Sequence, residues 1–285
     1  PVPNENAGAQ SAPASVRSCF RIAAQPTANE ADRPLEPGVG TEAALRRPGS
    51  DLLHRGLNVG RHFAAALVVG RHVRADPVTR KLLPEHLENA ARVAVALDKF
   101  VALHQLDGLA YYYEGEAGSP LRNLVTNLIV GNSLLTAAGF PMCGESDLKT
   151  CLDMLLMDRI DIGGSFAEFH PVDFREGFVL VGHDGPHHIN IADGKPVLRS
   201  LVKYHGKPGS GASVEFKIKE GPITMLSIGV NAGGRFRFIL AEGQSVRGAI
   251  PATGNTNTRG FFRPDVRTFL KHWVAAGPTH HFALG

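Results

Sequence analysis

Cysteine is scarce: Cys19, Cys143 and Cys151 are the only three in 285 residues. They form neither a Cys-x-x-Cys pair nor an even set, which excludes a disulfide scaffold and reads as free thiols in a reducing cytoplasm. Long apolar runs are missing as well. None approaches the roughly 18–20 residues of a membrane span, and no basic-then-apolar leader opens the chain, so no membrane partner is expected. Aromatics make up only 7% of the residues. Charge is nearly balanced, with 30 basic against 27 acidic side chains and a net charge of +3. The pI of 8.9 is not accompanied by a dense Lys/Arg stripe, so no nucleic-acid partner is expected either. The GxSxG and HExxH signatures are absent, and with them the sequence-level case for a serine or zinc hydrolase.

What is there is a globular composition. Hydrophobic residues are 43% of the chain, and its length suits one large domain or two of ordinary size. Residues 1–50 show no sustained period and read as an extended or poorly ordered segment, with a short apolar element near 16–23. Helical signals dominate from Leu83. Pro84-Glu85 opens a segment with Leu87, Ala91, Ala94, Val95 and Val101 at helical spacing. Residues 106–113 (LDGLAYYY) resemble a buried strand, while 121–138 and 147–160 read as helices. This alternation predicts an α/β domain of Rossmann-like type over 51–162. After Gly163 the texture becomes β-rich. Short runs at 177–182, 197–204, 213–219, 223–230 and 235–241 are separated by Gly/Pro turns. Val214, Phe216 and Ile218 alternate with polar residues, as do Phe236, Phe238 and Leu240. The expectation for 163–285 is an antiparallel β-barrel-like domain carrying a late helix at 265–276.

The chain has thirteen histidines, several of them clustered: His183, His187 and His188, then His280 and His281. Glu145 (in CGESDLKT) and Glu168 (in GGSFAEFH) sit at turn-like junctions. Carboxylates with imidazoles suit a divalent ion such as Mn²⁺, Co²⁺ or Mg²⁺, and two carboxylates can move protons between adjacent carbons. Each residue also has a purely structural reading. Glu145 could favour a helix N-terminus, Glu168 could be an exposed loop charge, and His183 a hydrogen-bonder at a strand end. His280 and His281 follow a helix C-terminus, where imidazolium suits the dipole. Spacing alone does not choose, because a site built from four segments has no fixed interval.

The wording around the residues does discriminate. Residues 139–150 (GFPMCGESDLKT), 164–168 (GSFAE), 181–192 (VGHDGPHHINIA) and 273–282 (WVAAGPTHHF) together resemble the L-arabinose isomerase family, within the fucose/arabinose isomerase group. KEGP at 219–222, GRFRF at 234–238 and Glu242 resemble its barrel strands. The resemblance runs over about residues 100–285 and implies a shortened member lacking most of the family's N-terminal domain. It implies a metal-dependent aldose–ketose isomerase acting on a free, L-arabinose-like sugar through a cis-enediol, with Mn²⁺ held by Glu145, Glu168, His183 and His281. Glu145 and Glu168 would double as the acid/base pair, and self-association into a homo-oligomer is implied by analogy. His280 competes with His281 for the ligand role. Asp147, Lys149, His187, His188 and His280 are candidates to contact substrate or orient a ligand, and a solvated helix start accounts equally for Asp147 and Lys149. Two other readings stay open: an isomerase of fucose or another rare sugar, and a catalytically silent sugar-binding or assembly subunit of the same fold.

Overall fold

The computed structural model describes residues 82–204, 207–250 and 256–285. Cys19, the element expected near 16–23 and the segment 1–50 lie outside the described residues. Helix α1 (Pro84–His104) begins on a proline, whose fixed φ suits a first turn, and ends at Gln105 in the left-handed region. Its buried face is His86, Ala90, Ala94 and Leu97; of the expected Leu87, Ala91, Ala94, Val95 and Val101 stripe only Ala94 is fully buried, and Val95 is exposed. Helix α3 (Leu128–Ala137) decides this rotation. It is buried on almost every side, and a Cβ on its Gly131 would stand 2.9 Å from the Ala94 Cα. The small pair Ala94/Gly131 is therefore where the two helices can touch.

The single helix expected over 121–138 is two. Helix α2 (Pro120–Val125), capped by the Ser119 hydroxyl, stops at Thr126, and α3 restarts after Asn127. Of residues 106–113 only Leu109–Ala110 forms a strand, β1, which pairs in parallel with β2 (Met142–Cys143). Mixed helix and strand is thus present before residue 163. Among the described residues, though, its parallel sheet has two strands and shows no Rossmann-like sheet.

Helix α4 (Leu148–Arg159) starts at Asp147, whose carboxylate accepts from the Thr150 N–H. Its Met154 and Met157 are buried in one cluster with Phe166, Leu226 and Ala283, which lays α4 against the barrel that follows. No helix among the described residues is long and apolar enough to cross a membrane.

Six strands close an antiparallel barrel in the order β10-β11-β4-β3-β12-β9. They are β3 (Ser165–Asp173), β4 (Phe178–His183), β9 (Gly221–Val230), β10 (Phe236–Val246), β11 (Thr256–Phe261) and β12 (Phe282–Leu284). Ala167, Val179, Val181, Met225, Phe282 and Leu284 fill one core with Phe269 and Trp273 of helix α5 (Val266–Ala276). The Phe262 and Phe269 rings stack at 3.9 Å. Two of the expected β runs stay out of the barrel. Strands β5 (Ala192–Ser200) and β8 (Ala212–Ile218) pair with each other, and Leu198, Ala212 and Val214 pack on the α3 residues Ile129, Val130 and Leu134. The remaining strands are the short pair β6 (Lys203–Tyr204) and β7 (Lys207–Pro208).

Candidate active site

The site begins in the turn between β2 and α4. Glu145 and Ser146 both have positive φ, 56° and 57°. For residues with a Cβ each such conformation costs about 1–2 kcal/mol, so surrounding bonds must hold it. Ser146 N donates to the Tyr111 carbonyl at 2.9 Å and Asp147 N to the Gly144 carbonyl at 3.2 Å. Strain held in this way concentrates at functional sites. Here it carries the Glu145 side chain over the edge of the barrel, where it remains partly exposed.

Glu168 comes from β3. Ala167 and Phe169 pack into the barrel core, so alternation turns Phe166 and Glu168 to the other side of the wall, toward α4 and its turn. Glu168 pairs across with Gly182 of β4. A Cβ on Gly182 would lie 1.9 Å from the Thr256 carbonyl oxygen, which leaves glycine as the residue that fits between β4 and β11. His183 ends β4, and His281 immediately precedes β12. The buried Phe166 ring lies against both, 4.5 Å from His183 and 4.3 Å from His281 between centroids.

Both histidines have their tautomer set from behind. His183 Nδ1 is 2.7 Å from the Asp184 carbonyl, and a carbonyl only accepts, so Nδ1 carries the proton. His281 Nδ1 lies 3.1 Å from Asp147 Oδ2, and donates to that carboxylate in the same way. The Nε2 lone pairs are left bare, and both Nε2 atoms are buried without a hydrogen-bond partner. Burial, with the neighbouring His187 and His281 charges, holds His183 well below the usual imidazole range. Burial pushes the Asp147 carboxyl up, but hydrogen bonds from His281 and Thr150 outweigh it, and the net shift is downward.

One ligand atom each from Glu145, His183 and His281 lie within 4.8 Å of one another, as do those of Glu168, His280 and His281. Glu145 Oε1 is 3.6 Å from His281 Nε2, and Glu168 Oε2 is 2.8 Å from His280 Nε2. His281 joins the two groups. Buried imidazole nitrogens with no partner, facing carboxylates and backed by a carbonyl and a carboxylate, are the donor set a divalent cation takes. The residues present fit such an ion. Of these, Glu145, Glu168 and His183 line a cavity of about 40 Å³ together with Tyr111, Tyr113, Gly144, Asp184 and Pro186.

The other candidates fall differently. Asp147 sits behind His281, as a ligand-orienting group would. Lys149 is exposed on the first turn of α4 and does not line the cavity. His280 is 70% exposed and reaches Glu168 from the solvent side. His187 and His188 are buried away from the cavity wall. The His187 N–H donates to Ser133 of α3 and its ring packs edge-on against Phe216, while burial takes its imidazole down to about 3. The His188 N–H donates to Ser165 at 3.2 Å. Sequence reasoning missed Tyr111, Tyr113, Asp184 and Pro186 as lining, and His170 beside Glu168. The YYY run at 111–113 carries only a strand signal in the sequence. His170 was hidden because its neighbourhood is a strand, β3, that the sequence had not shown.

Residues 163–285 match a family model described as the L-arabinose isomerase C-terminal domain. The L-arabinose isomerase of Nocardioides sp. is 29% identical over 221 residues, 73% of this chain and 43% of that protein. Those of Klebsiella pneumoniae and Escherichia coli K12 are each 27% identical over 158 residues, 52% of this chain and 31% of theirs. The chain spans less than half the length of these curated relatives.

Proposed function

On the likeness of residues 163–285 to the L-arabinose isomerase C-terminal domain, we propose that the chain is a metal-dependent aldose–ketose isomerase acting on an L-arabinose-like sugar. The observation that supports this most is the pair of buried, partnerless Nε2 atoms of His183 and His281 facing Glu145. Glu145, Glu168, His183 and His281 would hold one divalent ion, Mn²⁺ in the first place and Co²⁺ or Mg²⁺ as substitutes. When bound, such an ion polarises a carbonyl and acidifies the adjacent hydroxyl.

Glu145 and Glu168 then carry the proton chemistry. One carboxylate takes the proton from C2 of the open-chain aldose as O1 gains a proton, giving the cis-enediol. O2 then loses its proton and C1 gains one, giving the ketose with no net change in atoms or electrons. Asp147 keeps the His281 Nδ1 protonated throughout. Tyr111 and Tyr113 line the cavity, and burial raises the Tyr111 phenol, so it stays a neutral hydrogen-bonder to sugar hydroxyls. The functional unit of this reading is residues 163–285, joined to an α/β unit ending at 162 that supplies Glu145 and Asp147.

Incubation with Mn²⁺ and a panel of aldopentoses, aldohexoses and 6-deoxy sugars tests the proposal. Ketose formation that EDTA removes and Mn²⁺ restores is the expected result. Metal bound without turnover on any sugar favours the silent sugar-binding reading, and no metal bound at all removes the site.

A further inference from the structure

Glu168 is approached from two sides. His280 lies 2.8 Å from its Oε2, and the His170 Nε2 lies 3.6 Å from its Oε1. The two histidines are not equivalent. The His280 side chain is 70% exposed, whereas that of His170 is only 13% exposed, and the His170 Nε2 is buried with no hydrogen-bond partner. Burying a ring nitrogen with nothing to bond it is unfavourable unless some state of the molecule gives it a partner. Oε1 of Glu168, 3.6 Å away, is an acceptor within its reach.

The backbone is built to hold this approach. Residues 168 and 170 are two apart on β3, and the ladder between β3 and β4 shifts register between Phe169 and Val172. Such an irregularity re-aims a side chain beside a site. Pro171 restricts His170 to extended backbone. Phe169 anchors the opposite side of the strand, with its ring 4.9 Å from that of Phe282 and 6.0 Å from that of Trp273.

We infer that His170 is a positioning residue for Glu168: its Nε2–H donates to Oε1, fixing the carboxylate plane and leaving Oε2 to serve the metal and the sugar. The inference rests on the isomerase reading above. A gap of 3.6 Å closes to hydrogen-bond distance with a small rotation of either side chain, and catalytic hydrogen bonds commonly tighten once the site is filled. His280, standing in solvent, pairs with Oε2 and would give way to an ion held by Glu168.

The test uses the full chain with His170→Ala and His170→Gln, the latter keeping an N–H donor at the position of Nε2. Mn²⁺ affinity is measured by calorimetry, and kcat and KM on whichever aldose the wild-type chain converts. His170→Ala should lose about 10–100-fold in Mn²⁺ affinity or in kcat, with KM within about twofold, and His170→Gln should recover most of that loss. His170→Ala matching the wild type in both readouts overturns the inference. So does a His170→Gln as impaired as the alanine, since bulk alone would then explain the effect. A wild-type chain that binds no Mn²⁺ removes the isomerase reading itself and this inference with it, an outcome distinct from the other two.

Discussion

Asp147 shows how one carboxylate can serve two neighbours. Its Oδ1 caps α4 by accepting from the Thr150 N–H, and its Oδ2 accepts from the His281 Nδ1–H. Asn at this position is as good an N-cap as Asp, but its amide would turn a donor toward Nδ1 and move the imidazole proton to Nε2. Asp147→Asn should therefore keep the melting temperature within a few degrees while Mn²⁺ affinity falls about 10–100-fold. Calorimetry beside a thermal melt separates the two effects. Asp153 is a different residue-scale case. It is wholly buried, its Oδ2 accepts from the Ile228 N–H, and its Oδ1 has no partner. Burial raises its carboxyl to about 7; the Asp147 charge adds to that, and the Ile228 hydrogen bond and Lys149 oppose it. The unfolded value is about 3.9. The folded state therefore holds the extra proton between about pH 4 and pH 7, and stability falls as pH rises through that window. Asp153→Asn should flatten this loss. Urea midpoints of both proteins at pH 5 and pH 8 measure it, and an unchanged difference between them would remove Asp153 as the cause.

At the scale of elements, the site depends on where a strand ends and the next turn begins. His183 is the last residue of β4, His281 directly precedes β12, and Glu145 sits between β2 and α4. Gly182 lets β4 lie against β11 just before His183. Gly182→Ala places a methyl group inside van der Waals contact with the Thr256 carbonyl, and overpacking of this kind costs about 1–3 kcal/mol or more. The expected result is a lowered urea midpoint together with weaker Mn²⁺ binding, because β4 must shift to relieve the clash and carries His183 with it. A variant with the wild-type midpoint would show that the strands are more adaptable than the ladder indicates.

At the scale of the whole molecule, the proposed ligands are far apart in the chain, from Glu145 to His281, and meet because α4 packs on the barrel wall through Met154 and Met157. Glu145 and Glu168 sit at the rim of that packing rather than in it. Glu145→Gln and Glu168→Gln should each abolish turnover without lowering the melting temperature appreciably. Retained isomerase activity in either variant would remove that residue from the acid/base pair.

Much of this was legible in the sequence. The helices at 84 and 265 announced themselves through Pro84 and Pro264 and the one at 147 through its apolar run, and β8 and β10 through every-other apolar spacing. The wording around Glu145, Glu168, His183 and His281 singled out the side chains that the fold then brings together. Local chemistry sufficed there, because a cap, a period or a motif is complete within a dozen residues. Strands β3, β11 and β12 were not legible: SFAEFHPVD carries a glutamate and a histidine on its non-core side, TNTRGF is polar, and FAL is too short to show a period. The split of α2 from α3 and the pairing of β5 with β8 outside the barrel were equally hidden. Only tertiary structure decided these, along with which nitrogen of His281 is free and where His170 lies, since they depend on partners distant in the chain, such as Ser210 for Thr126 and Asn127 or Asp147 for His281, or on strand pairs that no local pattern records.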